Sequence, residues 1–296
     1  MKSIQRRSFS ASRGVLIAAL IFATVTLSLQ AWRSWVLLAS YDQGIFQQVL
    51  WNSLHGHPFA STLSSQLSTN VIHADELPSV DYQRLGQHFT PTLILLAPLL
   101  GLIGGTALPL VQVGLITTAG LLLHRTAKRI VPDRTAEWIT YAYFTGNALI
   151  GPTLGNYTDL CQLPLVVFAL MQGILERRWR LITVAALVMP LIREDTGVVL
   201  VAIGLWLLSR DPPRWRLALV LIGWGGGWVM VCTNLLMPLF SDDNAKRFMV
   251  ENFGQYLGND GSGGSSSLGM LQQALSQPLL LLQQLVDPPG KTLLYL

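Results

Sequence analysis

Long apolar runs alternate with short polar clusters along most of the chain. The first run, residues 14–32, is uncharged and follows a basic lead. The later runs that we interpret as membrane helices are residues 106–123, 136–151, 160–175, 181–192, 196–208 and 217–238. Repeated apolar runs of this kind are typical of multi-span helical membrane proteins. The pattern therefore predicts an all-α protein, a polytopic transmembrane helical bundle.

The apolar block at residues 91–123 allows two topologies. As two spans, it would place the basic residues of the stretch 124–134 outside, against the tendency of basic loops to stay in the cytoplasm. As one span, residues 106–123, it returns them to the cytoplasm and leaves the segment PTLILLAPLLGLIGG before it. That segment would form a helix of only about 22 Å, against a hydrocarbon core of about 30 Å. We therefore interpret it as a re-entrant or interfacial segment on the external side.

The first external stretch, residues 39–90, opens with an amphipathic pattern. Five apolar side chains between residues 45 and 54 share one helical face, opposite Gln43, Gln47 and Asn52. This pattern predicts an interfacial helix that starts after Asp42 and lies with its apolar face on the membrane. Asp42 then has two interpretations that the sequence does not separate, the N-cap of that helix or a general base at the outer surface.

Composition and charge agree with a membrane protein and argue against binding to nucleic acid. The 296 residues are 51% hydrophobic and 12% charged, whereas soluble domains carry about 25% charged residues. The net charge of +4 comes from short basic clusters between apolar runs, which indicate topology rather than a phosphate-binding face. The basic lead predicts a cytoplasmic N-terminus. Because Leu29 stands where a cleavage site wants a small residue, we expect an uncleaved first span, not a signal peptide.

We expect one integral membrane domain over residues 1–296. Its parts are a cytoplasmic lead at 1–13, the external loop at 39–90, the transmembrane bundle at 91–238 and an external Gly/Ser-rich loop at 239–275. The chain stops at KTLLYL, where another apolar run begins. This ending predicts a fragment that lacks C-terminal spans.

A charged triplet stands between two apolar runs and consists of Arg193, Glu194 and Asp195. The run before them, residues 181–192, would be a helix of about 18 Å, too short to cross a bilayer. The triplet is therefore expected below the external surface. At the centre of a span, a charge that is neither paired nor hydrated costs at least about 2.5 kcal/mol. This depth favours a functional role. The alternative is a salt-bridged turn in which Arg193 neutralises one acid and Asp195 caps the next helix.

Other polar groups that could carry chemistry fall on the same predicted side. Arg84 could bind a phosphate or pair with Asp81, and the second is favoured. His88 shows no metal-ligand spacing, while Asn156 and Asp159 occupy a tight outer turn that explains both residue types. With the start of the amphipathic helix and the triplet, these make four separate connections, and the positive-inside rule places all of them outside. That convergence predicts one external site.

At these positions the chain resembles a family of predicted bacterial multi-pass membrane proteins of unknown function, itself distantly similar to the class C membrane glycosyltransferases. The resemblance covers about residues 40–250, and its motifs are Tyr41-Asp42-x-Gly44 with Phe46, Gln47, Trp51 and Gly56, then His88-Phe89-Thr90-Pro91, and Arg193-Glu194-Asp195-x-Gly197. It departs from the family at Asp159-Leu160-Cys161, where an Asp-aromatic-His pattern would be expected. No ligand role carries over to that connection.

The resemblance implies an inverting sugar transfer from a polyprenyl-phosphate-linked donor, on the external face of a bacterial inner membrane. Asp42 matches the acid that would serve as the general base. The leaving lipid phosphate needs a cation, which Arg193 could supply together with Arg84 and His88.

A metal is the alternative source of that positive charge, because Glu194 and Asp195 could hold Mg²⁺ or Mn²⁺ through carboxylate oxygens. Asp159, Asn156 and Gln47 are further candidates for the site. Two other functions stay open: a permease in which the triplet lines a translocation path, and a structural membrane protein in which it locks two short helices together.

Overall fold

The computed structural model describes residues 12–36, 38, 40–68, 71–72, 76–241, 275–276 and 278–279. Within these ranges every regular element is helical, and one isolated antiparallel bridge joins Ala60 to Gln83. The predicted all-α class is confirmed. Most of the basic lead and of the Gly/Ser-rich loop, and the KTLLYL end, lie outside the described residues.

The α-helices of the described chain are α1 Arg13–Trp35, α2 Tyr41–Leu54, α3 Thr62–Ser65, α4 Arg84–Gln87, α5 Ala97–Ile103, α6 Ala107–Ala127, α7 Asp133–Thr145, α8 Asn147–Gly155, α9 Leu163–Glu176, α10 Trp179–Ile192, α11 Gly197–Leu208 and α12 Trp215–Val231. The 3₁₀ segments are Pro91–Leu96, Gly104–Thr106, Asp159–Gln162, Glu194–Thr196 and Met237–Leu239, and Cys232–Leu236 is a π-helical turn.

Four helical stretches are long and apolar enough to cross a membrane. They are Arg13–Trp35, Pro91–Ala127, Asp159–Glu176 and Trp215–Leu239. Their outer surfaces carry large apolar side chains, such as Leu20, which is 68% exposed. Side chains of this kind are favoured where a helix faces lipid. The predicted helical membrane bundle is therefore confirmed.

The stretch Pro91–Ala127 is interrupted rather than uniform. Gly104 adopts φ +65°, a left-handed conformation that glycine reaches without steric cost. On one side of it α5 packs against α2, and on the other α6 packs against α1 and α9. The division that the sequence suggested between a short segment and a longer helix thus coincides with a break in backbone geometry.

The apolar run at residues 136–151 forms two helices instead of one. Gly146 separates α7 from α8 with an extended backbone, φ −69° and ψ 129°. α7 buries one residue per turn, Ala136, Thr140 and Phe144. With 13 and 9 residues, neither helix alone is long enough to span a bilayer.

The amphipathic helix α2 turns its apolar face to protein. Four side chains of that face are buried: Ile45, Phe46, Val49 and Leu50. They join a cluster with apolar residues of α1, α5 and α6, so the prediction that this face lies on the membrane is wrong. The helix begins at Tyr41, because the Ser40 hydroxyl accepts the Gln43 N–H at 3.2 Å. Ser40 is therefore the N-cap, and the interpretation of Asp42 as the cap is also wrong.

Facing glycines bring α11 and α12 together. A Cβ atom added at Gly197 would lie 2.5 Å from the carbonyl oxygen of Gly225, and one at Gly204 would lie 2.8 Å from that of Ala218. Small residues allow the backbones of membrane helices to approach closely. Since α11 starts directly after the triplet, this contact holds the triplet in place against α12.

Two apolar clusters flank the polar residues. One combines α1, α2, α5 and α6 with Tyr157 and Cys161, and the other combines α9 to α12. The chain passes from the first cluster to the second through Asp159–Gln162. Asp159 consequently lies where the two clusters adjoin.

Candidate functional site

Polar side chains from four connections meet at one end of the bundle. The structure brings together the candidates Asp42, Arg84, His88, Asn156, Asp159, Arg193, Glu194 and Asp195. Their connections lie at the end of the bundle where α9 begins and α10 finishes.

Asp159 lies between two arginines. Its Oδ2 is 3.7 Å from Arg84 Nη2, and its Oδ1 is 3.9 Å from Arg193 Nη1. Both distances exceed the hydrogen-bonding range, so the two ion pairs are electrostatic contacts. Oδ1 also accepts the Leu160 N–H at 2.9 Å, which fixes the carboxylate at the start of its 3₁₀ turn.

The Arg84 guanidinium is buried but poorly satisfied. The residue is 5% exposed, and its guanidinium carbon lies 4.5 Å from the centre of the Phe46 ring. Within the described structure its side chain makes no hydrogen bond, and Nε is fully buried. Burial lowers the pKa of Arg84, and the negative charge of Asp159 opposes that shift. A buried cation with an unpartnered donor is well suited to an anionic ligand.

The expected pairing of Arg84 with Asp81 is wrong. Asp81 Oδ1 instead lies 3.7 Å from His57 Nδ1, and both of these side chains are exposed. Arg84 begins α4, whose four residues are all buried, so its side chain points away from the surface that Asp81 occupies.

Glu194 ties the triplet to the segment after α4. Its Oε1 lies 2.9 Å from His88 Nδ1, and its Oε2 accepts the Phe89 N–H at 2.8 Å. The residue is 7% exposed. Because both oxygens are engaged, the geometry assigns Glu194 first of all to holding the two connections together.

Arg193 and Asp195 form a two-pronged ion pair. Arg193 Nε donates to Asp195 Oδ1 at 2.9 Å, and Arg193 Nη2 donates to Oδ2. This fork is the strong form of an Arg–carboxylate pair. It agrees with the alternative in which Arg193 neutralises one acid of the triplet. The suggested capping of the next helix by Asp195 is wrong, because α11 has no side-chain cap.

Asp42 combines exposure with a carboxylate oxygen that is not engaged by protein. It is exposed, and its Oδ2 accepts the Asn156 side-chain N–H at 2.9 Å. Asp42 also lies close enough to Arg84 to act on its pKa. The two candidates therefore belong to one electrostatic environment.

Gln112 is a site-supporting residue that the sequence reasoning missed. It is fully buried in α6, where its Nε2 donates to the carbonyl of Asn156 at 3.0 Å and its Oε1 accepts the Thr158 N–H at 3.1 Å. It thereby fixes the connection that carries Asn156 and Asp159. A lone amide side chain inside an apolar run was the signal, since such a group needs partners within the protein.

Gln47 lies apart from these contacts. Its Nε2 donates to the carbonyl of Gly105 at 3.4 Å, which links α2 to the segment around Gly104. This candidate supports the packing of the two elements.

The carboxylates do not offer a metal site. Among the described residues, no group of three or more histidine, cysteine, aspartate or glutamate side chains is placed to hold a metal ion. The oxygens of Glu194 accept from His88 and Phe89, and those of Asp195 accept from Arg193. The suggested pair of metal ligands, Glu194 and Asp195, therefore does not fit this arrangement.

The comparison with protein families gives one match. The family described as "Predicted membrane protein (DUF2079)" matches residues 33–296. No curated protein and no solved structure matches the chain. The match covers all of the polar residues described above.

Proposed function

The chain belongs to the DUF2079 family of predicted membrane proteins, and we propose that its polar site transfers a sugar from a polyprenyl-phosphate-linked donor. The observation that carries this proposal is the buried Arg84 guanidinium. Its Nε has no hydrogen-bond partner within the described structure, and it lies over the Phe46 ring, one helical turn from the exposed Asp42. A cation and a base in one environment are the two groups that displacement of a phosphate requires.

The phosphate of the donor would lie against Arg84 and Arg193. Arg84 Nε has no hydrogen-bond partner within the described chain, and both Arg84 Nη2 and Arg193 Nη1 face the Asp159 carboxylate. His88 is tied through Nδ1, which leaves Nε2 as a further donor or acceptor on a side chain that is 36% exposed. These groups stabilise negative charge best where water is excluded.

Asp42 would act as the general base. It takes the proton of an acceptor hydroxyl while that oxygen forms a bond to the anomeric carbon, on the face opposite the phosphate. The bond from the anomeric carbon to the phosphate oxygen breaks, and its electron pair stays on the phosphate beside the arginines. The configuration of the sugar is inverted. Asn156 holds the carboxylate through one oxygen and leaves the other for the proton.

The first test separates binding from chemistry in the purified full-length protein. Polyprenyl phosphate should raise Tm in detergent, whereas the matching polyprenol, which lacks the phosphate, should not. The rise should disappear in Arg84→Gln and persist in part in Arg84→Lys, which keeps the charge. Arg134→Gln, which removes an exposed arginine at the other end of α6 and α7, is the control and should respond like wild type.

Asp42→Asn should still bind polyprenyl phosphate but should lose transfer from labelled polyprenyl-phosphate sugars by about 10²-fold or more, as expected for removal of a general base. The side-chain oxygen of the new asparagine can still accept from Asn156, so stability should change by less than about 0.5 kcal/mol. Full transfer activity in this variant would overturn the role of Asp42. A wild-type protein whose Tm ignores polyprenyl phosphate would overturn the proposal as a whole.

The structural alternative is supported by the engaged oxygens of the triplet. Glu194 and Asp195 use both of their oxygens on protein donors, as residues that lock two connections would. Suppose that Arg84→Gln has a much lower Tm than wild type and that no phosphate ligand changes the Tm of wild type. The polar cluster would then serve to hold the helices together. The ligand response, not the loss of stability, distinguishes the two functions.

A further inference from the structure

A basic region lies at the end of the bundle opposite the polar site. It is a cavity of about 390 Å³ between the turn that joins α9 to α10 and the start of α12. The cavity is lined by Arg177, Arg214, Arg216, Trp179 and Trp215, with Leu217 among its apolar residues. α10 runs from this cavity to the triplet, and its 14 residues place the two about 21 Å apart.

The positive charge of the cavity is not neutralised by the described chain. Arg177 and Arg216 make no ion pair there, and Arg214 uses Nη1 on the carbonyl of Ile174 at 2.7 Å. The nearest acid in sequence, Glu176, is occupied by other arginines, with Arg129 at 2.8 Å and Arg178 at 2.7 Å.

Asp211, two residues before the cavity-lining Pro213, makes no ion pair with the described residues. Two helices also begin at the cavity, α10 at Trp179 and α12 at Trp215, and neither has a side-chain cap. Their first N–H groups add to the positive potential, which favours an anion.

The apolar surroundings of the cavity indicate the kind of molecule to which the anionic group belongs. Trp179 and Trp215 are 65% and 54% exposed at helix ends, the position that tryptophan occupies at a membrane interface. From the cavity, α10 and α12 continue with exposed apolar side chains such as Val184 at 57% and Val220 at 65%. A ligand with a phosphate and long acyl chains would satisfy both parts of this surface.

We propose that the cavity binds the phosphate headgroup of an anionic phospholipid from the surrounding bilayer. The shared chemistry is a phosphate group held by Arg177 and Arg216, with the acyl chains along α10 and α12. Basic pockets between membrane helices bind anionic headgroups in this way. The cavity is separate from the Asp42–Arg84 site, so the proposal does not depend on the function proposed above.

The test titrates the full-length protein in neutral detergent with phosphatidylglycerol, with phosphatidylcholine and with inorganic phosphate, and follows Tm. Phosphatidylglycerol should stabilise wild type, and the other two should have little effect. The double variant Arg177→Gly, Arg216→Gln should weaken the apparent affinity for phosphatidylglycerol about 25-fold, at about fivefold for each cation near the surface.

Arg177 has φ +56°, a conformation that glycine adopts easily. Arg177→Gly therefore removes the cation while favouring the native turn, so that a loss of binding does not reflect misfolding.

Arg180→Gln is the matched control, because it removes an exposed arginine of the same end that does not line the cavity. Its effect should stay under about threefold at physiological salt, where the field of a surface charge is screened within about 8 Å. Equal losses in the control and in the double variant would overturn the proposal in favour of diffuse attraction. Inorganic phosphate that protects as well as the lipid, and depends on the same arginines, would identify a free phosphate as the ligand and overturn the lipid assignment.

Discussion

The carboxylates of the polar site differ in how many of their oxygens are engaged. Glu194 accepts through both oxygens, from His88 and Phe89, and Asp195 accepts through both from Arg193. Asp42 accepts through one and is exposed. Acids with both oxygens engaged position other groups, whereas an acid with a free oxygen can take a proton. Asp159 also has an oxygen without a hydrogen bond, Oδ2, but that oxygen is buried. A free oxygen and exposure together therefore separate Asp42, the residue proposed to act, from the acids that hold the site.

Glu194→Ala should destabilise the protein more than Glu194→Gln does. The alanine removes both acceptors and leaves the Phe89 N–H unpaired, at a cost of about 1–3 kcal/mol in the free energy of unfolding, while glutamine keeps one acceptor. Thermal unfolding in detergent measures the difference, with exposed Glu76→Gln as the control. Equal Tm values for Glu194→Ala and wild type would show that the contacts of Glu194 with His88 and Phe89 do not stabilise the protein.

Two short helices and a three-residue turn make the element that carries the triplet. α10 ends where Arg193 becomes extended, with φ −162° and ψ 150°, and the 3₁₀ turn Glu194–Thr196 leads directly into α11. α11 is then held by its glycine contacts with α12. The position of the triplet therefore depends on helix packing as much as on its own ion pairs.

Gly197→Ala should destabilise this element, because the added Cβ would meet the Gly225 carbonyl oxygen at 2.5 Å and force the helices apart. We expect a loss of about 1–3 kcal/mol, as for other overpacked contacts. Gly223→Ala is the control on α12, since its Cβ would have no neighbour within 4 Å. That substitution should be neutral or stabilising, because alanine favours helix over glycine by about 1 kcal/mol. A similar Tm for both variants would contradict the close contact.

The whole molecule has two polar ends separated by apolar helices. The Asp42–Arg84 site lies at one end, and the basic cavity around Arg216 lies at the other. The positive-inside rule predicts that the basic end faces the cytoplasm and the polar site faces outside. The two proposed ligands would thus bind from opposite surfaces of the membrane.

Cysteine labelling in intact cells tests this orientation. Glu76→Cys should react with a membrane-impermeant maleimide from outside, and Arg180→Cys only after the membrane is opened, because both positions are exposed at opposite ends. Cys161 and Cys232 should stay unlabelled in the native protein, since they are 3% and 0% exposed. The reverse pattern of labelling would place the polar site in the cytoplasm and would rule out an external transfer reaction.

Structural features that depend on residues close together in the sequence were predictable. Apolar runs located the long helices, and the positions of Gly104 and of the triplet marked where helical geometry is interrupted. The division of the run 136–151 into two helices at Gly146 was not predicted. Many helices tolerate a single glycine, and tertiary packing decides whether the helix is interrupted there. The burial of the apolar face of α2 against protein was not predicted for a similar reason. Periodicity shows that a helix has an apolar face, but it does not show whether lipid or protein covers that face.

The sequence by itself determined that this is a helical membrane protein, because the length and polarity of a run decide whether a helix is stable in lipid. It also selected the polar residues of the connections that form the site, but it missed Gln112, which supports one of those connections from within α6. Only the tertiary structure decided the partners, pairing Arg84 with Asp159 rather than Asp81 and Asp42 with Asn156. The physical reason is distance along the chain. Contacts between residues 75 or 114 positions apart form only when helices pack, and no local pattern encodes that packing.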